Sequence, residues 1–272
     1  MGLRVVIRGG GDLGSGVGVR LHRAGVIVLV CELPKPLVVR RYVSFAEAVF
    51  SGETMVEEVR AKKISNRTEI SRYIQENVVP VLIDPAAECL TWFDADVLVD
   101  CRLRKSPPDL GLNAARMVIG LGPGFIAGVN CHAVVETKRG ATLGRVYWRG
   151  TSEADTRMPE AVYGYVEERV LRAPCAGIFK SLVGICDFVS QGQVVGQVED
   201  SHILASCDGV VRGLVVDGLE VEAGMKVGDI DPRNDLRLCS LVSDKALAVG
   251  GGVLEAILSN PDMRRRLCDT QA

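Results

Sequence analysis

Short apolar runs alternate with glycine loops along the first half of the chain. Residues 5–7 form one such run and stop at Gly9-Gly10-Gly11. An amphipathic stretch follows, with Val17, Val19, Leu21 and Ala24, and then VIVLVCE, which closes on Glu32. VPVLIDP ends at Asp84-Pro85, and AAECLTWF is long enough for a helical turn or two. DVLVDCRL (96–103) runs through Asp100, Cys101 and Arg102, and MVIGLGPGFIAG (117–128) enters a second glycine loop. These runs are rich in Val, Leu and Ile without polar alternation, the pattern of parallel strands buried on both faces. CHAVVETKRG (131–140) and LGRVYWRG (143–150) alternate instead and predict a β-hairpin.

The second half contains an internal repeat. Residues 173–200 align without a gap on 205–232, an offset of 32, with matched pairs such as Gly177/Gly209, Gly192/Gly224 and Gly196/Gly228. Each copy is too small to bury a core alone, so the two must pack on each other. The pattern predicts an all-β barrel-sandwich hybrid of the biotinyl/lipoyl-like kind. The turn between the copies carries Glu199, Asp200, Ser201 and His202, while the nearest lysines, Lys180 and Lys226, lie inside the repeats. With no acceptor lysine at the turn, the expected role is bracing, docking or covering. DKALAVGGGVLEAILSN (244–260) predicts a helix with Asp244 as N-cap and Pro261 as stop. Its three glycines would each cost about 1 kcal/mol relative to alanine. They make sense if the helix packs tightly on another element, or if it begins at the glycines.

The fold class expected is therefore an α/β Rossmann-like parallel sheet with an inserted all-β domain. The Rossmann-like part takes residues 1–169 with its hairpin extension, the insert takes 170–236, and 237–272 return to the first domain as a helical segment. A chain of 272 residues, 47% of them hydrophobic, can bury cores of this size. The net charge of −2 gives no reason to expect nucleic acid or an anionic membrane as partner. The basic run Arg264, Arg265, Arg266 suits a solvated helix end. No apolar run approaches the ~20 residues that span a bilayer, and MGLRVVIRGGG passes directly into structured sequence without a signal peptide. The expected location is the cytoplasm. Nine cysteines without a CxxC pair suggest reduced, mostly buried thiols and no zinc ribbon.

Candidate chemistry gathers at the predicted strand ends, where ligands of open α/β sheets bind. Gly9, Gly11 and Gly14 fit GxGxxG around Gly10, Asp12 and Leu13, between a predicted strand and helix. In that context the first glycine turns the chain, the second admits a phosphate and the third packs the helix, while the helix N-terminus favours an anion. Glu32 stands 18 residues beyond Gly14, near the spacing of the acid that binds an adenine ribose. Lys35, Arg40 and Arg41 could instead serve a different phosphate. Gly120, Gly122 and Gly124 offer a second loop, although Pro123 and the missing GK[ST] exclude a P-loop. Asp84, Asp100 and Arg102 join the same predicted cleft. Cys101, beside Arg102, is the best placed of the nine thiols for reactivity, with a buried, inert thiol as the other reading, and His132 or Asp100 could handle a proton. His132 could equally be structural. Glu136 would lie about 13 Å along the strand from it, too far to share a metal. No metal site is expected.

VIRGGGDLGSGV, VLIDP, GLGPGFIAGVNCHAVVETKRG, LGRVYWRGT, GDIDPR and DKALAVGGGVLEAIL occur in this order. With these segments the chain resembles the YqeB family of accessory proteins for selenium-dependent molybdenum hydroxylases. The resemblance implies a maturation factor whose partner is an apo molybdenum hydroxylase. Its cofactor would be NAD or a molybdopterin-type molecule, since the glycine loops suit either, and a homo-oligomer is open. The alternatives are a nicotinamide-dependent oxidoreductase and a binding scaffold with a degenerate Rossmann cleft.

Overall fold

The computed structural model describes residues 2–154 and 168–268. In chain order the first elements are β1 (Arg4–Arg8), α1 (Asp12–Arg23), β2 (Ile27–Glu32), α2 (Ala48–Ser51), β3 (Glu53–Val56), β4 (Val59–Ile64), α3 (Ile70–Gln75) and β5 (Val79–Ile83). There follow β6 (Val97–Asp100), β7 (Met117–Leu121), β8 (Ala133–Val135) and β9 (Val146–Tyr147). The repeat region supplies β10 (Val170–Arg172), β11 (Gly177–Ser181), β12 (Phe188–Val189), β13 (Val194–Val198), β14 (Ser201–Leu204), β15 (Gly209–Leu214), β16 (Glu220–Val221) and β17 (Lys226–Asp231). Helices α4 (Asp244–Ser259) and α5 (Pro261–Cys268) end the described chain. Contacts divide the molecule into two units. One holds Met1–Pro36, Ser44–Asp155 and Val242–Ala272; the other holds Leu37–Val43 and Thr156–Leu241. Most of the expected exit from the first domain, residues 155–167, lies outside the described residues.

The expected Rossmann-like parallel sheet is corrected. The first unit is built on a mixed nine-stranded sheet in the order β3-β4-β5-β2-β1-β6-β7-β8-β9. Antiparallel hairpins, β3–β4 and β8–β9, stand at its two ends. The first hairpin turns through Glu57 and Glu58, both at positive φ (43° and 72°), the conformation a two-residue hairpin loop requires. Helical cover is thin as well. Between β5 and β6 the chain makes a single 3-10 turn, Glu88–Thr91, and between β6 and β7 another, Leu112–Ala114. AAECLTWF is too short to do more, so two of the crossovers lack the helix that defines the expected fold.

The second half of the expectation is corrected too. The second unit consists of two four-stranded antiparallel sheets, β10-β17-β15-β12 and β14-β13-β11-β16, in place of a biotinyl/lipoyl-like barrel-sandwich hybrid. A strap from far earlier in the chain, Leu37–Val43, belongs to it. Arg41 Nε donates to Leu214 O at 2.9 Å, and Arg40 Nη2 to Leu238 O and Leu241 O at 2.9 and 2.8 Å. The 32-residue offset recurs in the strands, β11 to β15, β12 to β16 and β13 to β17. The turn at Glu199 is a tight hairpin, and Glu199 Oε1 accepts from the Ile178 N–H at 3.0 Å.

Glycines in α1 and α4 serve close packing within the first unit. A Cβ on Gly16 would lie 2.6 Å from that of Ala246, and one on Gly250 would lie 2.9 Å from Gly16 O. The Gly250–Gly252 run therefore sits inside α4, and the helix does not begin there. Its N-cap is Ser243, whose side chain accepts from the Ala246 N–H at 3.1 Å; Asp244 is the first helical residue.

Candidate functional site

The ends of β1, β2, β5 and β6 bring together the glycine loop, Glu32, Asp84 and Asp100. Gly9 takes φ +99°, a left-handed conformation that favours glycine, and its N–H donates to Cys31 O at 2.9 Å. A Cβ on Gly14 would fall on Gly9 O, and one on Gly10 would lie 2.8 Å from Val30 Cγ1. Gly11, the N-cap of α1, is different: a Cβ there would meet nothing within 4 Å. The loop is fixed from behind. Ser15 Oγ donates to Gly10 O at 2.8 Å and accepts from the Phe45 N–H at 2.7 Å, while the Ala46 N–H donates to Gly10 O at 2.8 Å. Leu13 is buried, and Asp12 is an acid in the first turn, where it suits the helix dipole.

Glu32 folds back onto this loop. Its carboxyl accepts from the backbone N–H groups of Leu33 and Gly10, yet burial outweighs them and pushes its pKa up to about 7. Asp100 is buried and holds Arg102, which donates to it from Nε at 2.9 Å and from Nη2 at 2.6 Å. Arg102 Nη2 also reaches Asp109 at 2.6 Å. Arg8, 3% exposed, grips Asp109 with two bonds of 2.9 and 2.8 Å and donates to Pro85 O at 2.5 Å. Burial tends to raise the Asp109 pKa, but the hydrogen bonds from Arg102 and Arg8 hold it well below the usual carboxylate range. With Arg104 Nη1 3.7 Å from Asp109, the result is a network of three arginines and two acids beside the loop.

Several expected site residues do other work. Cys101 is buried, and burial together with Asp100 pushes its thiol well above the ordinary value. That is the reverse of a reactive thiolate. His132 lies beside the first half of β7, away from the strand ends. Its Nδ1 accepts from the Val118 N–H at 2.9 Å, and the His132 backbone N–H donates to Val118 O at 2.8 Å. Burial lowers its pKa, so the ring is a neutral brace. The second glycine loop packs on its own chain. A Cβ on Gly120 would strike the Phe125 ring, and one on Gly124 would strike Arg104 O. Gly122, at φ +89°, makes the turn between them. Arg40 and Arg41 bind carbonyls of the second unit, and Lys35 is exposed.

Sequence reasoning missed Arg8, Asp109 and the company of Cys31. Arg8 had a visible signal, a charge at the end of an otherwise apolar strand. Cys31 Sγ lies 3.1 Å from Cys89 Sγ and 3.9 Å from Asp84 Oδ2. Asp84 also accepts from the Glu88 and Cys89 N–H groups at 2.9 and 2.8 Å. Two cysteines separated by 58 positions leave no motif.

No protein-family model matches the chain. Among solved structures, an aspartoacylase family protein from Mesorhizobium loti is 14% identical, with 85% of each chain covered and a TM-score of 0.26. The ectoine utilization protein EutE (DoeB) from Ruegeria pomeroyi is 12% identical, with 84% and 86% covered and a TM-score of 0.26. Likenesses at that level bear on neither fold nor activity. The uncharacterized protein YqeB of Escherichia coli (strain K12) is 44% identical over 254 residues, which make up 93% of this chain and 47% of YqeB. The chain thus spans about half the length of this relative, and the identity along nearly all of its own length supports the resemblance to the YqeB family.

Proposed function

We propose that the chain binds a phosphate-bearing cofactor at the loop Gly9-Gly10-Gly11 and serves the maturation of a selenium-dependent molybdenum hydroxylase. The observation that carries the binding half is the open space at Gly11. The neighbouring glycines are filled by the protein's own atoms, whereas the N-cap of α1 has nothing within 4 Å of a Cβ position. Helix N-termini present unsatisfied N–H groups and a favourable dipole to an anion. Arg8 and Arg102 stand at adjoining strand ends. The maturation half rests on the resemblance to the YqeB family and the extent of identity to YqeB. An apo-hydroxylase is the partner in this reading, and NAD or a molybdopterin-type cofactor is the ligand. In the oxidoreductase alternative His132 would act through Nε2, since its Nδ1 accepts from the Val118 N–H, and Asp100 would act while holding Arg102.

Equilibrium titration of the parent and of Gly11→Val with NAD, NADP and molybdopterin tests the site. The valine side chain enters space a phosphate would need and strikes no protein atom at Cβ. Binding of one ligand should fall at least tenfold, with a stability loss of about 1 kcal/mol from the poorer N-cap. Equal binding by both proteins, or no binding by the parent, rejects the site. Hydroxylase activity in a strain lacking the gene, complemented by parent or variant, tests the pathway separately.

A further inference from the structure

Cys31, Asp84 and Cys89 form the one group among the described residues whose donor atoms, one from each side chain, all lie within 4.8 Å of one another. The three residues are 1%, 7% and 0% exposed. Their backbones are fixed independently. Cys31 is in β2, in register with Leu82 of β5, and Asp84 follows β5 with its N–H on Glu32 O at 3.0 Å. Cys89 lies in the 3-10 turn that Asp84 caps through the N–H groups of Glu88 and Cys89. Each Asp84 oxygen accepts one of these bonds and keeps a lone pair.

We propose that Cys31, Cys89 and Asp84 hold a thiophilic divalent cation, Zn2+, with a non-protein ligand such as water in the fourth position. Two thiolates and a carboxylate are a donor set zinc accepts, and soft sulfur ligands disfavour Mg2+ and Ca2+. The geometry is close. Zinc at about 2.3 Å from each sulfur and 2.0 Å from oxygen in a tetrahedral arrangement sets sulfur to sulfur at about 3.8 Å and sulfur to oxygen at about 3.5 Å. The corresponding distances are 3.1 Å for the sulfurs and 3.9 Å for Cys31 to Asp84, so loading needs the sulfurs to part by about 0.7 Å and Cys31 and Asp84 to close by about 0.4 Å.

Without a cation the Cys31 thiol is held protonated by its hydrogen bond with Cys89 and by burial. Loading converts two thiols and Zn2+ into two Zn–S bonds and two released protons. Arg8 donates to Pro85 O, next in the chain to Asp84, and its charge offsets the anionic centre that forms. Burial of all three ligands implies that the ion enters as the first unit closes. Once there it would tie β2 to the turn after β5, immediately behind the glycine loop, because Cys31 O holds the Gly9 N–H.

The full chain, purified under reducing conditions without chelator, should retain one zinc per chain by elemental analysis. After stripping, refolding with Co2+ should give a thiolate-to-cobalt charge-transfer band, and refolding with Zn2+ should raise Tm. Cys31→Ala and Cys89→Ala, checked by circular dichroism, should each lose the band and at least nine-tenths of the zinc. The proposal is overturned if the parent retains no zinc and shows neither cobalt band nor thermal shift, a result that needs no variant to fold. It is equally overturned if both variants keep the band, or if anaerobically handled parent yields Cys31 and Cys89 as a disulfide.

Discussion

The two copies of the repeat share a backbone and differ in where they keep their charge. Lys180, Gln197 and Glu199 of the first copy correspond, 32 residues on, to Arg212, Asp229 and Asp231 of the second. In the first copy Lys180 and Glu199 are exposed. In the second, Asp229 is fully buried between Arg169, at 2.6 Å, and Arg212, whose Nε lies at 2.7 Å. Lys226 Nζ stands 3.5 Å from the same carboxylate. Asp231 takes Arg212 Nη1 at 3.1 Å and Arg233 Nη2 at 2.6 Å. The copies also differ at Ser181 and Gly213. The strap Leu37–Val43 lies so close to the second that a Cβ on Gly213 would stand 2.7 Å from Val39 O. One strand pattern thus supports either a solvated polar face or a buried ionic one. The side chains, not the repeat, decide which.

Substitution should separate the copies most sharply at Asp229. Asp229→Ala leaves three cations around an empty place and should cost about 3–5 kcal/mol. Chemical denaturation of the full chain, with hydrogen exchange at β17 to localise the loss, measures it. A cost like that of a surface residue would mean that the ionic cluster is solvated after all. Gly213→Val forces the strap outward and should cost about 1–3 kcal/mol by the same measurement. Ser181→Val, which faces no strap, should not, and equal losses would remove the strap from the explanation.

Acid should also act unequally. Burial raises the Asp229 and Asp231 pKa values, but the surrounding cations and hydrogen bonds outweigh it and hold both below the usual range. The unfolded chain therefore binds more protons than the folded one as pH falls below about 4. The stability these groups contribute is complete above that value and is lost as pH falls through their folded pKa values. In a pH series of melting temperatures, Asp229→Asn should flatten the acid limb, and an acid limb as steep as the parent's would remove Asp229 from the explanation. The smallest effect belongs to Gln197→Ala, with about 0.5 kcal/mol or less in the same denaturation series. A larger loss would show that the first copy hides a polar network of its own.

The offset of 32 could be read because strand β11 and its counterpart β15 keep glycine and apolar positions in register, and such positions announce themselves. The ionic cluster could not, since Lys/Arg and Gln/Asp look like ordinary surface variation until burial is known. The first unit shows the same limit. Residues 5–14 placed a strand, a turn and a helix correctly. Yet GPG at 122–124 reads alike whether a ligand or the chain itself, here Arg104 O, comes close. β3 and β4 passed unnoticed because charges at Glu53, Glu57, Glu58 and Arg60 mask a hairpin of two short strands, four and six residues long. Cys31 and Cys89 meet only through the β2–β5 pairing, which no local pattern encodes.

The glycine contact between α1 and α4 has a consequence in time. Gly16 and Ala246 are 230 positions apart, and their helices meet there so closely that only the alanine methyl fits between them. During synthesis α1 emerges early with Gly14, Gly16 and Gly18, a composition poor at holding a helix alone. Its partner arrives only after both copies of the repeat have been made. The first unit must therefore wait, with one face of its sheet uncovered, while the second can already close. Contacts of such long range form slowly and leave apolar surface open meanwhile. A ribosome-tethered chain just long enough for β17 to have left the exit tunnel while α4 is still inside it should accordingly show protease resistance in β11–β17 while α1 is still cut, and resistance of α1 should appear only once α4 has cleared the tunnel.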